Sequence, residues 1–217
     1  KIKRTIFLGT SCIYPKFAKT PIKEESLLTG SLEKTNQSYA IAKIAGIKLC
    51  EALYEDHKLD IVCLMPTNVY GKNDKFDKIN GHVIPAVISK IEFAKKKNYS
   101  KVDLLGTGKP LREFIHSDDL ADAIFTCLKV KKSVYQKKFK SKLPILNVGT
   151  KQVISIKHLS KLIAKFIDFK GKIIFDKRFP DGTFKKNLDS SKINQLGWYP
   201  KINFKTPIFL FCYTRNF

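Results

Sequence analysis

Tyr39 and Lys43 lie four residues apart in a stretch whose apolar positions, Ile44, Ile47, Cys50, Leu53 and Tyr54, recur at helical spacing. On a helix the two side chains share a face. An ammonium beside a phenol favours the phenolate, so Tyr39 has the makings of a proton donor and acceptor near neutral pH. The same spacing fits an ordinary surface pair, and Y-x-x-x-K alone is a weak signal. Thr10-Ser11-Cys12-Ile13-Tyr14-Pro15 adds context, because it follows directly on the apolar run Ile6 to Gly9. In an open α/β sheet the carboxyl ends of strands are where ligands bind. A hydroxyl there can hydrogen-bond a substrate oxygen beside Tyr39.

The elements that must position these groups alternate strand and helix, the pattern of an α/β fold. Ile6 to Gly9 reads as a strand. Thr35 or Asn36 can cap a helix running to about His57. Ile61-Val62-Cys63-Leu64-Met65 is a continuous apolar run closed by Pro66, as in a strand covered on both faces of a parallel sheet. Tyr70 to Gly81 is polar and loop-like, and Ile84 to Ala94 reads as a helix. Val102 to Leu105 is a strand closed by Gly106-Thr107-Gly108, and Arg112 to Ile115 is another. Ser117 is expected to cap a helix that starts Asp118-Asp119, with carboxylates at the positive end of the dipole. Ile145 to Val148 is a strand. Ser155 caps a helix with Ile156, Leu159, Ile163 and Phe166 on one face. Lys172 to Phe175 is a strand, Ser190 to Leu196 a helix ended by Gly197, and Phe209 to Tyr213 a last helix or packing segment. The expected architecture is a partial Rossmann-like parallel sheet with a smaller α/β substrate-binding lobe. Residues 1–70 would form the C-terminal part of a nucleotide-binding domain. Residues 71–217 would form mainly the lobe, with some segments returning to the sheet.

The net charge is +22, and all but four of the 41 basic residues are lysine. Arginine, which reads phosphate and guanine bidentately, is confined to Arg4, Arg112, Arg178 and Arg215. Scattered lysine fits a solvated surface better than a nucleic-acid platform. No segment reaches the ~20 apolar residues that span a bilayer, and the five cysteines form no C-x-x-C pair. The expectation is a reduced, cytoplasmic protein that binds no membrane, nucleic acid or metal.

Three runs in order carry a resemblance: Phe7-Leu8-Gly9-Thr10-Ser11-Cys12-Ile13-Tyr14-Pro15-Lys16, Tyr39-Ala40-Ile41-Ala42-Lys43-Ile44-Ala45-Gly46 and Met65-Pro66-Thr67-Asn68-Val69-Tyr70-Gly71. His82-Val83-Ile84-Pro85-Ala86, Arg112-Glu113-Phe114-Ile115-His116 and Pro180-Asp181-Gly182-Thr183 follow in the same order. Together they resemble the extended short-chain dehydrogenases and, more narrowly, the GDP-L-fucose synthases among them. The resemblance implies NADP(H) as cofactor and GDP-4-keto-6-deoxymannose as substrate, epimerised at C3 and C5 and then reduced at C4. It makes Thr10, Tyr39 and Lys43 the hydroxyl, acid and tuning lysine of the reduction. Threonine stands at position 10 where the family usually has serine. Cys12 and His82 match the family's epimerisation pair. Leu8 to Ser11, Pro66, Thr67, Asn68, Val69 and His82, with Tyr39 and Lys43, match cofactor-lining positions. Lys90, Leu105, Arg112 and Asp181 match substrate contacts. Lys90 replaces a common arginine, and Leu105 an aromatic. The resemblance also implies a homodimer through a helix bundle, to which the Asn36 to Lys58 helix would contribute.

One family feature is absent from this sequence: the opening βαβ unit with G-x-x-G-x-x-G, whose backbone approaches the cofactor pyrophosphate. Lys1 leads almost directly into a strand already under way, so an upstream segment is expected. The chain without that segment is expected to hold NADPH weakly. Two alternatives stay open. One is a related nucleotide-sugar epimerase or dehydratase, which needs Thr10, Tyr39 and Lys43 but not Cys12 and His82. The other is a non-catalytic basic remnant or binding module.

Overall fold

The computed structural model describes residues 2–77, 81–140 and 142–214. The chain begins with β1 (Thr5–Leu8), passes through short 3-10 turns into α1 (Gln37–Asp56), and continues as β2 (Ile61–Pro66) and β3 (Asn68–Tyr70). Next come α2 (Val83–Lys96), β4 (Lys101–Leu105), β5 (Leu111–His116), α3 (Ser117–Lys129) and α4 (Lys132–Lys138). The last part holds β6 (Ile145–Val148), β7 (Val153–Ser155), α5 (Ile156–Ile167), β8 (Lys172–Asp176), β9 (Lys185–Lys186), α6 (Ser191–Asn194) and α7 (Lys205–Thr214).

A parallel three-stranded sheet, ordered β1-β2-β6, positions the first half of the site. β2 is buried at every residue, because successive side chains point to opposite covered faces. Ile61, Cys63 and Met65 pack with Ile44, Ile47, Cys50 and Tyr54 of α1. Val62 and Leu64 pack on the other face with Leu120, Ala123 and Cys127 of α3. The chain then leaves this sheet at once: β3 pairs parallel with β5, which also carries β7 and β9. A third core joins α2, β4, α5 and α7 and lies under a two-stranded parallel sheet of β4 and β8.

Most elements fall where residue pattern places them, and the exceptions have local causes. His116, not Ser117, caps α3: its Nδ1 accepts from the Asp118 amide at 3.2 Å. Asn36 occupies the N-cap of α1 without a side-chain cap bond. Asn68 to Tyr70 form a strand where only a loop was expected from Tyr70 on, because β5 offers them a parallel partner. The lysine-rich stretch after α3 contains α4, pinned by buried Tyr135, whose hydroxyl donates to the Cys127 carbonyl at 3.0 Å. The helix expected over Ser190 to Leu196 shortens to α6, and Gly197 follows with φ 91°. Among the described residues no helix is long and apolar enough to cross a membrane.

Candidate active site

The carboxyl ends of β1 and β2 open onto one edge, since Leu8 is in register with Leu64. Gly9 turns the chain away there, its amide donating to the Leu64 carbonyl at 2.8 Å. A Cβ at Gly9 would sit 2.4 Å from Met65 Sδ, so a larger residue there would displace the Met65 side chain. Thr10 follows in extended backbone, and its Oγ1 accepts from the Cys12 amide at 3.2 Å to start the 3-10 turn Ser11–Ile13. α1 lies alongside. Lys43 Nζ donates to the Leu8 carbonyl at 2.9 Å and stands 6.0 Å from the Tyr39 ring centroid. Tyr39 is half exposed, at 51%. Thr10, Tyr39 and Lys43 thus gather at the end of β1, two on a helix and one on a strand-derived turn.

A buried polar network anchors this turn from behind. The Tyr14 hydroxyl donates to Asn147 Oδ1 at 2.6 Å, and Asn147 Nδ2 donates to the Ile22 carbonyl at 2.9 Å. The Asn147 amide donates to Glu24 Oε1 at 2.9 Å. Burial raises the Glu24 carboxyl above its ordinary value, a shift moderated by the Asn147 amide and by Lys192. Burial and then the charges of Glu24 and Glu25 push the Tyr14 phenol up as well, so it remains a donor. Pro66 and Thr67 are buried, and Asn68 and Val69 are half-buried. Thr67 Oγ1 and Asn68 Nδ2 both donate to the Glu113 carbonyl, at 3.0 and 2.7 Å. The Glu113 carboxylate, fully out of solvent, accepts from the Lys151 amide at 2.6 Å and the Leu188 amide at 2.8 Å. Burial raises its pKa, offset in part by those amides.

The substrate-site candidates converge elsewhere. Lys90 on α2, Leu105 at the end of β4, Arg112 on β5 and Asp181 in the loop after β8 all line one cavity of about 740 Å³. Asp181 accepts from the Thr107 amide at 2.9 Å and from Thr107 Oγ1 at 2.5 Å. Burial works against its charge, but Thr107 and then Arg112 outweigh it and hold the carboxyl below its ordinary value. Gly106 makes room: its φ is 82°, and a Cβ would meet Asp181 Oδ1 at 2.5 Å. The Arg112 guanidinium donates to the carbonyls of Leu111 and Thr183, at 2.9 and 2.6 Å. Burial lowers its pKa, against the raising influence of Asp181 and Cys12.

The epimerisation candidates are divided. Cys12 is half-buried, and its Sγ accepts from Lys186 Nζ at 3.3 Å. His82 sits at the N-cap of α2 with its side chain 80% exposed and its Nδ1 3.4 Å from Asp74. It lines a smaller cavity of about 390 Å³ with Tyr70 to Asp74, His116 and Ser117, while its neighbours Gly81 and Val83 line the large one. Sequence reasoning missed Lys186, Glu24 and Asn147 altogether, and passed over Glu113 within its motif. A glutamate inside an apolar strand is a usable signal for Glu113. Lys186 has none, being one lysine among many.

The family model of the NAD dependent epimerase/dehydratase family matches residues 1–149. The chain belongs to that family. It is 47% identical over 204 residues to a probable GDP-L-fucose synthase 1 of Oryza sativa, an alignment covering 94% of this chain and 60% of that one. The chain therefore spans about three fifths of the length of that relative. A solved GDP-6-OMe-4-keto-L-xylo-heptose reductase from Campylobacter jejuni superposes with a TM-score of 0.88 at 34% identity, covering 98% of this chain and 70% of the other. A GDP-mannoheptose C4 reductase of the same organism, with NADP bound, superposes at 0.81 with 33% identity, covering 98% and 67%. The α/β fold with a parallel Rossmann-like sheet is thus that of an epimerase/dehydratase family member.

Proposed function

We propose that this chain is the catalytic and sugar-binding part of an NADPH-dependent epimerase-reductase that converts GDP-4-keto-6-deoxymannose to GDP-L-fucose. The observation that carries the reading is Thr10, Tyr39 and Lys43 gathered at the carboxyl end of β1. The cavity lined by Lys90, Leu105, Arg112 and Asp181 supports a nucleotide-sugar as ligand. Relatives named for GDP-sugar chemistry support it further.

The residues present fit the nicotinamide-ribose end of NADPH. Lys43 and Tyr39 would hold that end, with Leu8, Gly9, Thr10 and Ser11 beneath it. The Pro66 to Val69 segment, steadied by its bonds to the Glu113 carbonyl, and His82 would line the same site. When bound, NADPH supplies a hydride to C4 of the sugar. Tyr39 donates its phenolic proton to the C4 oxygen, and Lys43 stabilises the phenolate left behind. Thr10 donates to the same oxygen while it carries enolate charge. Cys12 removes the acidified proton at C3 or C5, and His82 returns a proton at the opposite face. Arg112 and Lys90 pair with the diphosphate, and Asp181 accepts from sugar hydroxyls.

We also assign the protein to the cytoplasm as a homodimer through α1, whose exposed Ile41, Ala45, Leu49 and Ala52 recur at helical spacing. Sedimentation of Leu49→Glu tests the dimer; a change to monomer is expected. The test of function is solvent deuterium exchange at C3 and C5 in the protein at its natural full length. Cys12→Ser should sharply slow exchange and leave NADPH affinity intact; normal exchange would overturn the base assignment. A related epimerase or dehydratase, or a non-catalytic module, would fail to release GDP-L-fucose from this substrate.

A further inference from the structure

We infer that Lys186 is a positioning residue for the Cys12 sulfur, holding it as the charged base that the proposed epimerisation needs. The inference rests on that proposed function for the role of Cys12, but not for the contact itself. Lys186 Nζ donates to Cys12 Sγ at 3.3 Å, and both residues are half-buried. The contact joins residues far apart in sequence, so its geometry is set by tertiary structure on both sides. Lys186 lies in β9, paired parallel with β5 so that Lys186 is in register with Arg112. The segment just after it is clamped to the loop that follows the Cys12 turn. The Ile22 amide donates to the Asn187 carbonyl at 2.8 Å, and the Asp189 amide donates to the Ile22 carbonyl at 2.8 Å. Between them, the Leu188 amide is fixed by the Glu113 carboxylate. A lysine held this way differs from the solvated lysines that make up most of the chain's charge.

The chemistry asks for such a partner. A thiol is a poor base and a thiolate a good one, and an adjacent ammonium favours the thiolate. Arg112 adds positive potential from the neighbouring strand, and it interacts with Cys12, Asp181 and Glu33. Glu33 is itself paired with Lys16 at 3.1 Å. In the proposed step the thiolate takes the proton from C3 or C5 and becomes a thiol. The C–H electron pair forms the C=C bond, and the C4 carbonyl π pair moves onto oxygen. Lys186 keeps its proton throughout; it balances the charge that leaves the sulfur.

The test is the pH profile of iodoacetamide alkylation at Cys12, followed by peptide mass spectrometry. The measurement is selective because Cys50, Cys63, Cys127 and Cys212 are buried. Lys186→Met should slow alkylation about tenfold at pH 7 and move the profile to higher pH. Lys186→Arg should restore most of the rate, and Lys185→Met, one position away on the same strand, should leave the profile in place. Matching urea midpoints show that the variants fold alike. An unmoved profile in Lys186→Met overturns the inference, and so does an equal shift in Lys185→Met, which would report only the general lysine field. Alkylation requires no sugar. If Cys12→Ser exchanges normally while Lys186→Met still shifts alkylation, the proposed function falls and the pairing stands.

Discussion

The two ends of the site are held by different means. At the Thr10–Tyr39–Lys43 end, the groups sit on a helix and on the exit of an edge strand paired along its length with β2. Their mutual placement follows from a helical repeat and one sheet register. At the Arg112–Asp181 end, four residues reach one cavity from α2, β4, β5 and a loop, held by glycine turns and by side-chain bonds to backbone. The first end needs one docking, of α1 against the end of β1, whereas the second exists only once several separate segments have met. Proton transfer needs fixed geometry, whereas a grip on a sugar nucleotide can close around its ligand. Mutations should therefore separate the two ends.

The largest expected effect is at the first end. Tyr39→Phe should lower single-turnover NADPH oxidation by about 10²–10⁴-fold in the full-length protein, the range for a lost general acid. Exchange at C3 and C5 should fall far less; an equal loss would erase the distinction between acid and scaffold. Next comes the anchor between the ends. Glu113→Ala orphans the buried Leu188 amide and the part-buried Lys151 amide. It should cost about 3 kcal/mol in urea unfolding. A cost near zero would mean that the two ends are not tied through this carboxylate. A smaller effect is expected at the second end. Gly106→Ala puts a side chain at positive φ and against Asp181, costing about 1–2 kcal/mol of stability. It should weaken GDP binding in calorimetry while sparing Cys12 alkylation. The smallest effect is the pH dependence of the same turn. The Asp181 carboxyl lies below its ordinary value. Its bonds to Thr107 thus contribute fully above the ordinary aspartate value of about 3.9 and are lost as pH falls below it. Protection of the Thr107 amide, corrected for intrinsic exchange, should fall in that window and lose its pH dependence in Asp181→Asn.

The first end was legible in the sequence because its signals are local. Tyr39 and Lys43 are one helical turn apart, and the Thr10 turn follows its strand without interruption. β2 could be read as doubly covered because a continuous apolar run has few other uses. Lys90, Leu105, Arg112 and Asp181 were reached only through order of motifs, since nothing in their own spacing relates them. Lys186 was not reached at all: in a chain of charge +22 one more lysine carries no information. Cys12 and His82 were paired through the resemblance alone; His82 stands 3.4 Å from Asp74, and Cys12 meets Lys186, a contact that no motif announced.

Sequence by itself therefore determined the alternation of strand and helix, the burial of β2, and which residues are proposed to move a proton at the end of β1. These depend on periods of two and 3.6 residues and on the short reach of neighbouring side chains. Tertiary structure alone decided that β9 docks beside β5, that Glu113 binds two remote amides, and that an ammonium meets the Cys12 sulfur. Such contacts join residues far apart along the chain, and no local period encodes which of many chemically alike lysines will arrive there.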